Sequence, residues 1–429
     1  MNSTPYTIIG NSAAALGAVG GIRSLDAEGG ITIISKEPHH AYSRPLISYL
    51  LGGKVDADRM PLCSPDFYER KRVRLLAGTE AVALDASGRT IETPGGGSIP
   101  FEKLLIATGG KPIVPGGVDG LGAAGVFTFT TWDDATDIES FMAAQGVKRA
   151  VVLGGGLIGL KSVEALVARG VNTTVVELAD RILSATFDST ASELACSRLE
   201  EAGVRVLRGT TVTRVTQEGE FIRGVTLKDG TALDCELLIL AIGVVPNADI
   251  AADTPIEMDR GILVNKRMET SIHGIYAAGD VAQGPSLLGG ERRAIPIFPN
   301  AYRQGIVAGV NVAGGTKSYE GGIAMNSVDI LGLPSISVGL TDPKGDGYEV
   351  LSTLDADKPA YRKIVLRGDR IVGSIFIGDI DRAGIITGLI RNQVDVSGFR
   401  DILITDELGV LALPSDYRKH VVSGAGIEV

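Results

Sequence analysis

A buried strand that runs into a tight glycine loop and then into a helix constrains this chain more than any other feature. Residues 148–153 read Lys-Arg-Ala-Val-Val-Leu, and the following residues read Gly-Gly-Gly-Leu-Ile-Gly. In a G-x-G-x-x-G loop of this kind, Gly154 permits the tight turn and Gly156 lets a pyrophosphate approach the backbone. Gly159 lets the helix pack closely on the strand. The order of strand, loop and helix therefore predicts a dinucleotide site.

The elements beside this loop indicate which dinucleotide is bound. Leu157 and Ile158 open the helix, and free amides at a helix start face phosphates with the support of the helix dipole. The second strand, 172–176, is followed by Glu177. A carboxylate there accepts hydrogen bonds from a ribose 2'-hydroxyl and repels a 2'-phosphate, so we predict a preference for NADH over NADPH. The alternative is a glycine-rich turn with a structural role only.

A looser copy of the same unit lies at the N-terminus. The strand 6–9 is followed by Gly-Asn-Ser-Ala-Ala, and an acidic residue comes soon after the strand 31–34. Two loops of different strictness suggest two different dinucleotides: FAD, which stays bound, and NADH, which comes and goes. A small-residue helix start packed on a strand is the alternative. The residues predicted to bind FAD here are Gly10, Ser12, Ala13, Ala14 and Glu37.

The spacing of short apolar runs predicts the fold class. These runs end in glycine or in a small polar residue, which is typical of strands buried on both faces of a parallel sheet. Turn-rich stretches at 78–100 and 211–234 predict small antiparallel meanders. We therefore predict an α/β protein with two Rossmann-like dinucleotide-binding domains, antiparallel meanders and a C-terminal α+β interface domain. The predicted boundaries are 1–112 for the first part of the FAD-binding domain, 113–245 for the NAD-binding domain, 246–320 for the second part of the FAD-binding domain and 321–429 for the C-terminal interface domain.

Charge and aromatic content argue against a nucleic-acid partner. Of the 429 residues, 41 are Lys or Arg and 51 are Asp or Glu, so the formal charge is -10. A surface of this sign repels phosphate polymers on average. Aromatic residues make up only 5%, too few for the stacking platforms that bind single strands.

The sequence also bears on location and on metals. No apolar run approaches the roughly 18 residues of a membrane span, and the first basic residue is Arg23, so the N-terminus lacks the charged region of a secretory signal. We expect a cytoplasmic protein without a membrane span. The three cysteines, Cys63, Cys196 and Cys235, form no Cys-x-x-Cys pair. We expect no metal site, so that any metal centre belongs to a partner.

Three further motifs carry a family resemblance. Residues 104–110 read Leu-Leu-Ile-Ala-Thr-Gly-Gly, residues 240–247 read Leu-Ala-Ile-Gly-Val-Val-Pro-Asn, and residues 275–281 read Ile-Tyr-Ala-Ala-Gly-Asp-Val. Together with the glycine loops, they closely resemble the FAD- and NAD(P)-dependent pyridine nucleotide oxidoreductases related to NADH oxidase, rubredoxin reductase and the flavin module of NADH-dependent nitrite reductase. The resemblance implies that the Asp of the third motif holds the ribityl chain of FAD. The cofactor-binding residues that it implies are Ala107, Thr108, Gly109, Gly243, Gly279 and Asp280.

The segment 37–46 resembles the part of the rubredoxin and nitrite reductase branches that follows the adenosine site and runs towards the flavin. By that resemblance, Arg44 neutralises FAD phosphate charge and Pro45 lies near the isoalloxazine. An ordinary surface cation is the alternative for Arg44. Ala81 matches the position at which a backbone amide and carbonyl meet the adenine.

A helix is predicted from Phe298 to about residue 313, because proline favours the first turn of a helix. We expect the amides at its start, beside Ile297 and Phe298, to stabilise the negative charge that develops near N1 and O2 of the reduced flavin. The alternative is a helix that only packs.

Two departures from the family matter for the chemistry. Its disulfide reductases, peroxidases and water-forming oxidases place a redox cysteine beside the flavin, whereas residues 39–51 contain none. A thiol relay is therefore disfavoured, and Cys63 is expected to be an inert, partly buried thiol. Lys161 stands where many relatives carry Glu. Two roles stay open for Glu164, one turn on: a nicotinamide contact or a solvated helix residue.

From these motifs we predict an enzyme, an FAD-dependent NADH:acceptor oxidoreductase in which the flavin carries the chemistry and no side chain is catalytic. The predicted acceptor is an iron-sulfur electron-transfer protein or a partner subunit. One alternative is an NADH oxidase-like enzyme that reduces oxygen or a disulfide, and another is a non-catalytic FAD/NAD-binding sensor or scaffold. In this family the C-terminal domain often makes the subunit contact, so 321–429 is expected to form any homodimer or hetero-oligomer.

Overall fold

A computed structural model describes residues 4–290, 292–355, 357–409 and 413. Its strands are β1 Thr4–Ile9, β2 Ile31–Ser35, β3 Val73–Ala77, β4 Ala83–Asp85, β5 Thr90–Thr93, β6 Gly97–Ile106, β7 Gly110–Pro112, β8 Val126–Thr128, β9 Arg149–Leu153, β10 Asn172–Glu177, β11 Arg205–Arg208, β12 Val212–Glu218, β13 Phe221–Leu227, β14 Ala232–Asp234, β15 Leu237–Leu240, β16 Val244–Pro246, β17 Ile262–Leu263, β18 Ile275–Ala277, β19 Ala282–Gln283, β20 Met325–Ile330, β21 Leu333–Gly339, β22 Glu349–Asp355, β23 Ala360–Arg367 and β24 Arg370–Ile377. Its α-helices are α1 Ala13–Arg23, α2 Ile47–Leu51, α3 Phe67–Arg70, α4 Trp132–Gln145, α5 Leu157–Ala168, α6 Ser189–Glu201, α7 Phe298–Val312 and α8 Ala383–Arg391.

The N-terminal glycine loop, which begins at Gly10 and is called the first loop below, lies at the edge of a mostly parallel sheet. The strand order of this sheet is β3-β2-β1-β6-β5-β4, and β18 also pairs with β6. Ile9 of β1 is in register with Ile34 of β2 and with Ile106 of β6, so the three strands end side by side. All three residues are buried. The continuous apolar runs follow from helices that cover both faces of such a sheet. Strands β4, β5 and β6 form the antiparallel meander that was predicted at 78–100.

Helices α1 and α7 pack backbone to backbone on this sheet. A Cβ atom at Gly17 would overlap the carbonyl oxygen of Tyr302, and one at Gly305 would overlap that of Ala14. Only glycine allows such an approach at both positions. The contact places the first turns of α7 against the start of α1.

The glycine loop at 154–159, called the second loop below, has an equivalent position in a second parallel sheet. This sheet contains the strands β10-β9-β15-β8 in that order. Leu153 of β9 is in register with Val176 of β10 and with Leu240 of β15. The residues that follow these strands therefore meet at one edge. Strands β12, β13 and β14 form the meander that was predicted at 211–234, and Gly230 takes a positive φ of 87° in its hairpin turn.

Contacts divide the chain into two compact units. The first unit holds the described residues up to Leu178 together with Gly209–Ile323, and the second holds Ala179–Arg208 together with the described residues from Ala324 onward. In the second unit, five antiparallel strands have the order β20-β21-β24-β23-β22. The predicted boundaries at 112, 245 and 320 stay predictions. Residues 410–412 and 414–429 of the predicted C-terminal domain lie outside the described residues.

A buried carboxylate explains why residues 179–208 belong to the second unit. Asp188 caps helix α6 by accepting from the Ala191 N–H at 3.0 Å. Its other oxygen accepts from the Tyr361 hydroxyl at 2.7 Å and from Lys363 Nζ at 2.8 Å, both on β23. All three side chains are buried, and a buried ion pair that loses one partner is strongly destabilised. Residues 179–208, which follow β10, are thus bound to the C-terminal sheet through Asp188.

The fold class predicted from the sequence is confirmed. The chain is an α/β protein with two parallel sheets, antiparallel meanders and a C-terminal α+β region. No helix among the described residues is long and apolar enough to cross a membrane.

Candidate functional site

The N-terminal loop turns tightly over the end of the Ala-Thr-Gly strand. Gly10 has a φ of 106°, and a Cβ there would overlap the carbonyl oxygen of Ala107 and lie 3.3 Å from the Thr108 nitrogen. Its N–H donates to the Ile34 carbonyl at 2.8 Å. Ser12 stands before α1, but its side chain does not cap the helix, and the next residues, Ala13 and Ala14, are buried. The first amides of α1 are therefore suited to a phosphate.

The acidic residue after β2 is held by side chains. Glu37 accepts a hydrogen bond from the Tyr42 hydroxyl at 2.5 Å and forms an ion pair with Arg44. Arg44 also donates to the Thr130 carbonyl at 2.8 Å, and the Trp132 N–H donates to the Tyr42 oxygen at 3.0 Å. A carboxylate has about four lone-pair sites, so Glu37 can still accept from a ribose hydroxyl. Sequence reasoning missed the role of Tyr42, although its position in the 37–46 segment was a signal.

Asp280 has a partly buried carboxylate for which no hydrogen bond to another described residue is found. It follows Gly279, which has a φ of 84° and whose N–H donates to Gln304 Oε1 at 2.8 Å. Burial raises the pKa of the Asp280 carboxyl, and the positive charge of Arg44 opposes that shift. A desolvated acceptor without a partner is costly, and a hydroxyl donor would remove that cost. Asp280 therefore fits the ribityl chain of an FAD molecule.

The remaining residues predicted for the flavin site lie on three separate elements. Helix α7 begins at Phe298, after an extended Ile297 whose side chain cannot cap it, so its first amides stay available to an anion. Pro45 lies in a single 3-10 turn, Arg44–Leu46, that leads into α2. Ala81 is half-buried between β3 and β4.

The second loop has one open position between two closed ones. Gly154 has a φ of 114°, and a Cβ there would overlap the Ala241 carbonyl oxygen. A Cβ at Gly159 would overlap the Gly154 carbonyl oxygen, whereas no atom lies within 4 Å of one at Gly156. Leu157 and Ile158 begin α5 directly after this open position. The sequence predicts the pyrophosphate of a dinucleotide in this open space.

Glu177, at the end of β10, contacts the second loop. Its Oε2 accepts from the Gly155 N–H at 2.6 Å, so the carboxylate is held by the loop itself. The next side chain, Leu178, is 64% exposed. A carboxylate beside the glycine loop is placed to repel a 2'-phosphate.

Two of the sequence motifs are joined across the first unit. The Thr108 hydroxyl donates to the Asn247 carbonyl at 2.6 Å, and the Asn247 N–H donates to the Gly109 carbonyl at 2.8 Å. The Ile113 N–H donates to the Gly243 carbonyl at 3.0 Å, where Gly243 has a φ of 121°. Strands β7 and β16 pair between these bonds. The structural role of Asn247 was missed, although the residue stands in the quoted motif.

The surroundings of the thiols and of Glu164 bear on two points that the sequence left open: whether a thiol is reactive, and whether Glu164 is solvated. Cys63 is half-buried, and burial raises its pKa. Burial also raises the pKa of Cys196 to about 11 and that of Cys235 to about 12, so these thiols stay protonated at neutral pH. Glu164 is buried and paired with two lysines, so the solvated alternative for this residue is wrong. Among the residues described, no group of three or more potential ligands could hold a metal ion.

Comparison with known proteins agrees with this geometry. Residues 4–305 match the family described as pyridine nucleotide-disulphide oxidoreductase, and residues 325–394 match the rubredoxin NAD+ reductase C-terminal domain. The epsilon subunit of an NADH-dependent phenylglyoxylate dehydrogenase from Aromatoleum evansii is 33% identical over 410 residues, which cover 95% of this chain and 96% of the relative.

Two further relatives bear on the acceptor. An NADH oxidase from Methanocaldococcus jannaschii is 32% identical over 314 residues, which cover 72% of this chain and 69% of that protein. The structure of a ferredoxin reductase from Rhodopseudomonas palustris superposes with a TM-score of 0.79 at 26% identity, over 87% of this chain and 91% of that one.

Proposed function

Because the chain belongs to the pyridine nucleotide-disulphide oxidoreductase family of FAD- and NAD(H)-dependent enzymes, we propose that it passes electrons from NADH to an iron-sulfur protein or partner subunit. It is an FAD-dependent NADH:acceptor oxidoreductase, and the proposal concerns the acceptor. One observation carries it. The residues predicted to bind FAD and the glycine loop predicted to bind NADH lie in one compact unit, and no reactive thiol is found among the described residues of that unit.

Each part of the site has a task in this reaction. The start of α1 and Arg44 would balance the phosphate charge of FAD, while Asp280 accepts from its ribityl chain. The open space at Gly156 would take the pyrophosphate of NADH, and Glu177 would select against a 2'-phosphate. FAD supplies the chemistry when bound, because it takes up a hydride as an electron pair and can release electrons singly.

The state of the cysteines argues against a disulfide as acceptor. A thiol relay needs a thiolate, and burial keeps the three thiols protonated by raising each pKa. The match of residues 325–394 to a rubredoxin reductase domain and the likeness to a ferredoxin reductase support an iron-sulfur acceptor. The likeness to a dehydrogenase subunit supports a partner subunit as the acceptor. A cytoplasmic location and an oligomer formed through 321–429 belong to the same proposal.

The likeness to an NADH oxidase favours oxygen as the second candidate acceptor. This candidate predicts rapid oxygen consumption with NADH and no partner. A non-catalytic sensor, in contrast, would keep its yellow flavin absorbance when NADH is added without oxygen.

The test is a thiol-free variant that combines Cys63→Ser with Cys196→Ala and Cys235→Ala. Alanine is chosen at the two buried positions because a buried thiol behaves as a small hydrophobe. Anaerobic turnover with NADH and a ferredoxin or one-electron dye should stay within about twofold of the parent, since a protonated thiol is a poor nucleophile. Loss of turnover in a folded, FAD-loaded variant would restore the thiol relay. Oxygen consumption faster than ferredoxin reduction would favour the oxidase.

A further inference from the structure

Two lysines and a glutamate meet where the segment after Arg44 packs on helix α5. Glu164 Oε1 accepts from Lys54 Nζ at 2.6 Å, and its Oε2 is paired with Lys161 Nζ. The centroid of the Tyr49 ring lies 5.6 Å from Lys54 Nζ and 4.7 Å from Lys161 Nζ. We call Tyr49, Lys54, Lys161 and Glu164 the Glu164 cluster.

The Glu164 cluster is partly buried. The side chain of Glu164 is 10% exposed and that of Lys161 is 20% exposed. Burial raises the pKa of the Glu164 carboxyl, but the hydrogen bonds and charges of Lys161 and Lys54 outweigh it and hold that pKa below its ordinary value. The carboxylate is therefore ionised at neutral pH. Removing it would take the Glu164 counter-charge away from two neighbouring ammonium groups, of which Lys161 is the less exposed at 20% and Lys54 is 47% exposed.

Backbone contacts hold the same two elements together. A Cβ at Gly52, directly after α2, would lie 3.4 Å from Ala165 Cα of α5. Arg169 Nε, at the end of α5, donates to the Leu51 carbonyl at 2.8 Å. Helix α2 thus lies directly on α5, and the Glu164 cluster is the charged part of that contact.

The cluster lies one turn from a predicted contact of each cofactor. Tyr49 is four residues after Pro45, which is predicted near the isoalloxazine, and Lys161 is four residues after Leu157, which is predicted at the NADH pyrophosphate. Four residues span about 6 Å of helix. A shift of α2 on α5 would therefore act within about one turn of both predicted contacts.

We infer that Glu164 is a positioning residue for hydride transfer, because it ties Lys54 to Lys161 and so sets the flavin-side segment in register with the NADH-side helix. The inference rests on the proposed function. In the chemistry that a bound FAD would supply, NADH would give up a hydride and become NAD+, and FAD would take up that hydride with both electrons to become FADH−. Such transfer needs reacting atoms about 3 to 3.5 Å apart, and a misplacement of about 1 Å can cost about 100-fold in rate.

The experiment compares Glu164→Gln with Glu218→Gln in the FAD-loaded protein. Glu218 is 75% exposed and pairs with Arg223 on a hairpin, so it is a matched control in which an exposed ion pair is lost. Stopped-flow reduction by saturating NADH without oxygen should slow about 10- to 100-fold in Glu164→Gln, with the Kd for NADH changed less than about threefold. Hydrogen exchange should rise at residues 47–54 in that variant, and the control should change in neither measurement.

A second variant covers the case in which Glu164→Gln does not fold. Lys54→Met leaves Glu164 paired with Lys161, and it should show the same two changes with a smaller amplitude. If both Glu164→Gln and Lys54→Met match Glu218→Gln in rate and exchange, the positioning role is refuted and the proposed function stands. An unchanged limiting rate at saturating NADH, with only a weaker Kd for NADH, also refutes it. If NADH fails to reduce the parent protein, the proposed function itself fails.

Discussion

The acidic residues of the two glycine loops are held in different ways. Glu37, beside the N-terminal loop, is bound by the side chains of Tyr42 and Arg44. Glu177, beside the second loop, is bound by the Gly155 N–H of the loop itself. The first arrangement uses two side chains of the segment that follows β2, 5 and 7 positions away, whereas the second uses a backbone N–H that lies 22 positions earlier in the same strand-helix-strand unit.

The elements that surround the two glycine loops also differ. The first loop shares its surroundings with Asp280 and the start of α7, which come far later in the chain, and interlocked glycines press α7 against α1. The predicted second site centres on residues 154–177, with open space at Gly156, and its Gly154 turn packs against the Ala241 carbonyl. A site closed by remote elements suits a cofactor that stays bound, and an open local loop suits one that exchanges. The following predictions test this contrast.

The largest effect is expected from an added methyl group at the closed loop. Gly10→Ala forces an L-residue to a φ of 106° and into the Ala107 carbonyl, so we expect a loss of at least about 3 kcal/mol in the free energy of unfolding. Gly156→Ala meets no atom within 4 Å at a φ of -80°, so it should leave stability nearly unchanged and weaken NADH binding instead. Urea unfolding of both variants checks this. Equal stabilities would refute the assignment of Gly10 as a closed position and of Gly156 as an open one.

A smaller effect is expected from Asp280→Ala. The variant leaves a ribityl hydroxyl without its acceptor, which costs about 1 to 3 kcal/mol, or about 5- to 150-fold in FAD affinity. Asp249→Ala is the control, because it removes an exposed carboxylate paired with Lys111. Titration of FAD-free protein measures both Kd values. An Asp280→Ala protein that purifies with full flavin and unchanged affinity would contradict the assignment.

The smallest effect is expected at the open loop. Glu177→Ala removes the repulsion of a 2'-phosphate, a charge interaction of about 1 kcal/mol at 4 Å in water, so the preference for NADH over NADPH should narrow about fivefold. The ratio of the two kcat/KM values measures it, and Glu201→Ala, which removes an exposed carboxylate, should leave the ratio alone. A parent enzyme that uses both nucleotides equally would show that Glu177 does not select.

Much of the fold could be predicted because its signals are local. Helix α7 was expected from Phe298 to about residue 313 and extends from Phe298 to Val312, since proline in the first turn marks a helix start. The meander at 211–234 was expected from its turn residues, and Gly230 lies in its hairpin turn. The packing of residues 179–208 with the C-terminal strands was not predicted, because it depends on Asp188 meeting side chains of β23 more than 170 positions later.

By itself, the sequence determined the two loops, the fold class and the absence of a cysteine near the predicted flavin segment, because glycine spacing and short apolar runs act over a few neighbouring residues. Tertiary structure alone decided which side chains complete the sites. Lys54 and Glu164 are 110 positions apart, and the sequence left Glu164 open between solvent and a ligand. Burial and ion pairing are properties of the space around a side chain, and that space is formed only when distant segments pack together.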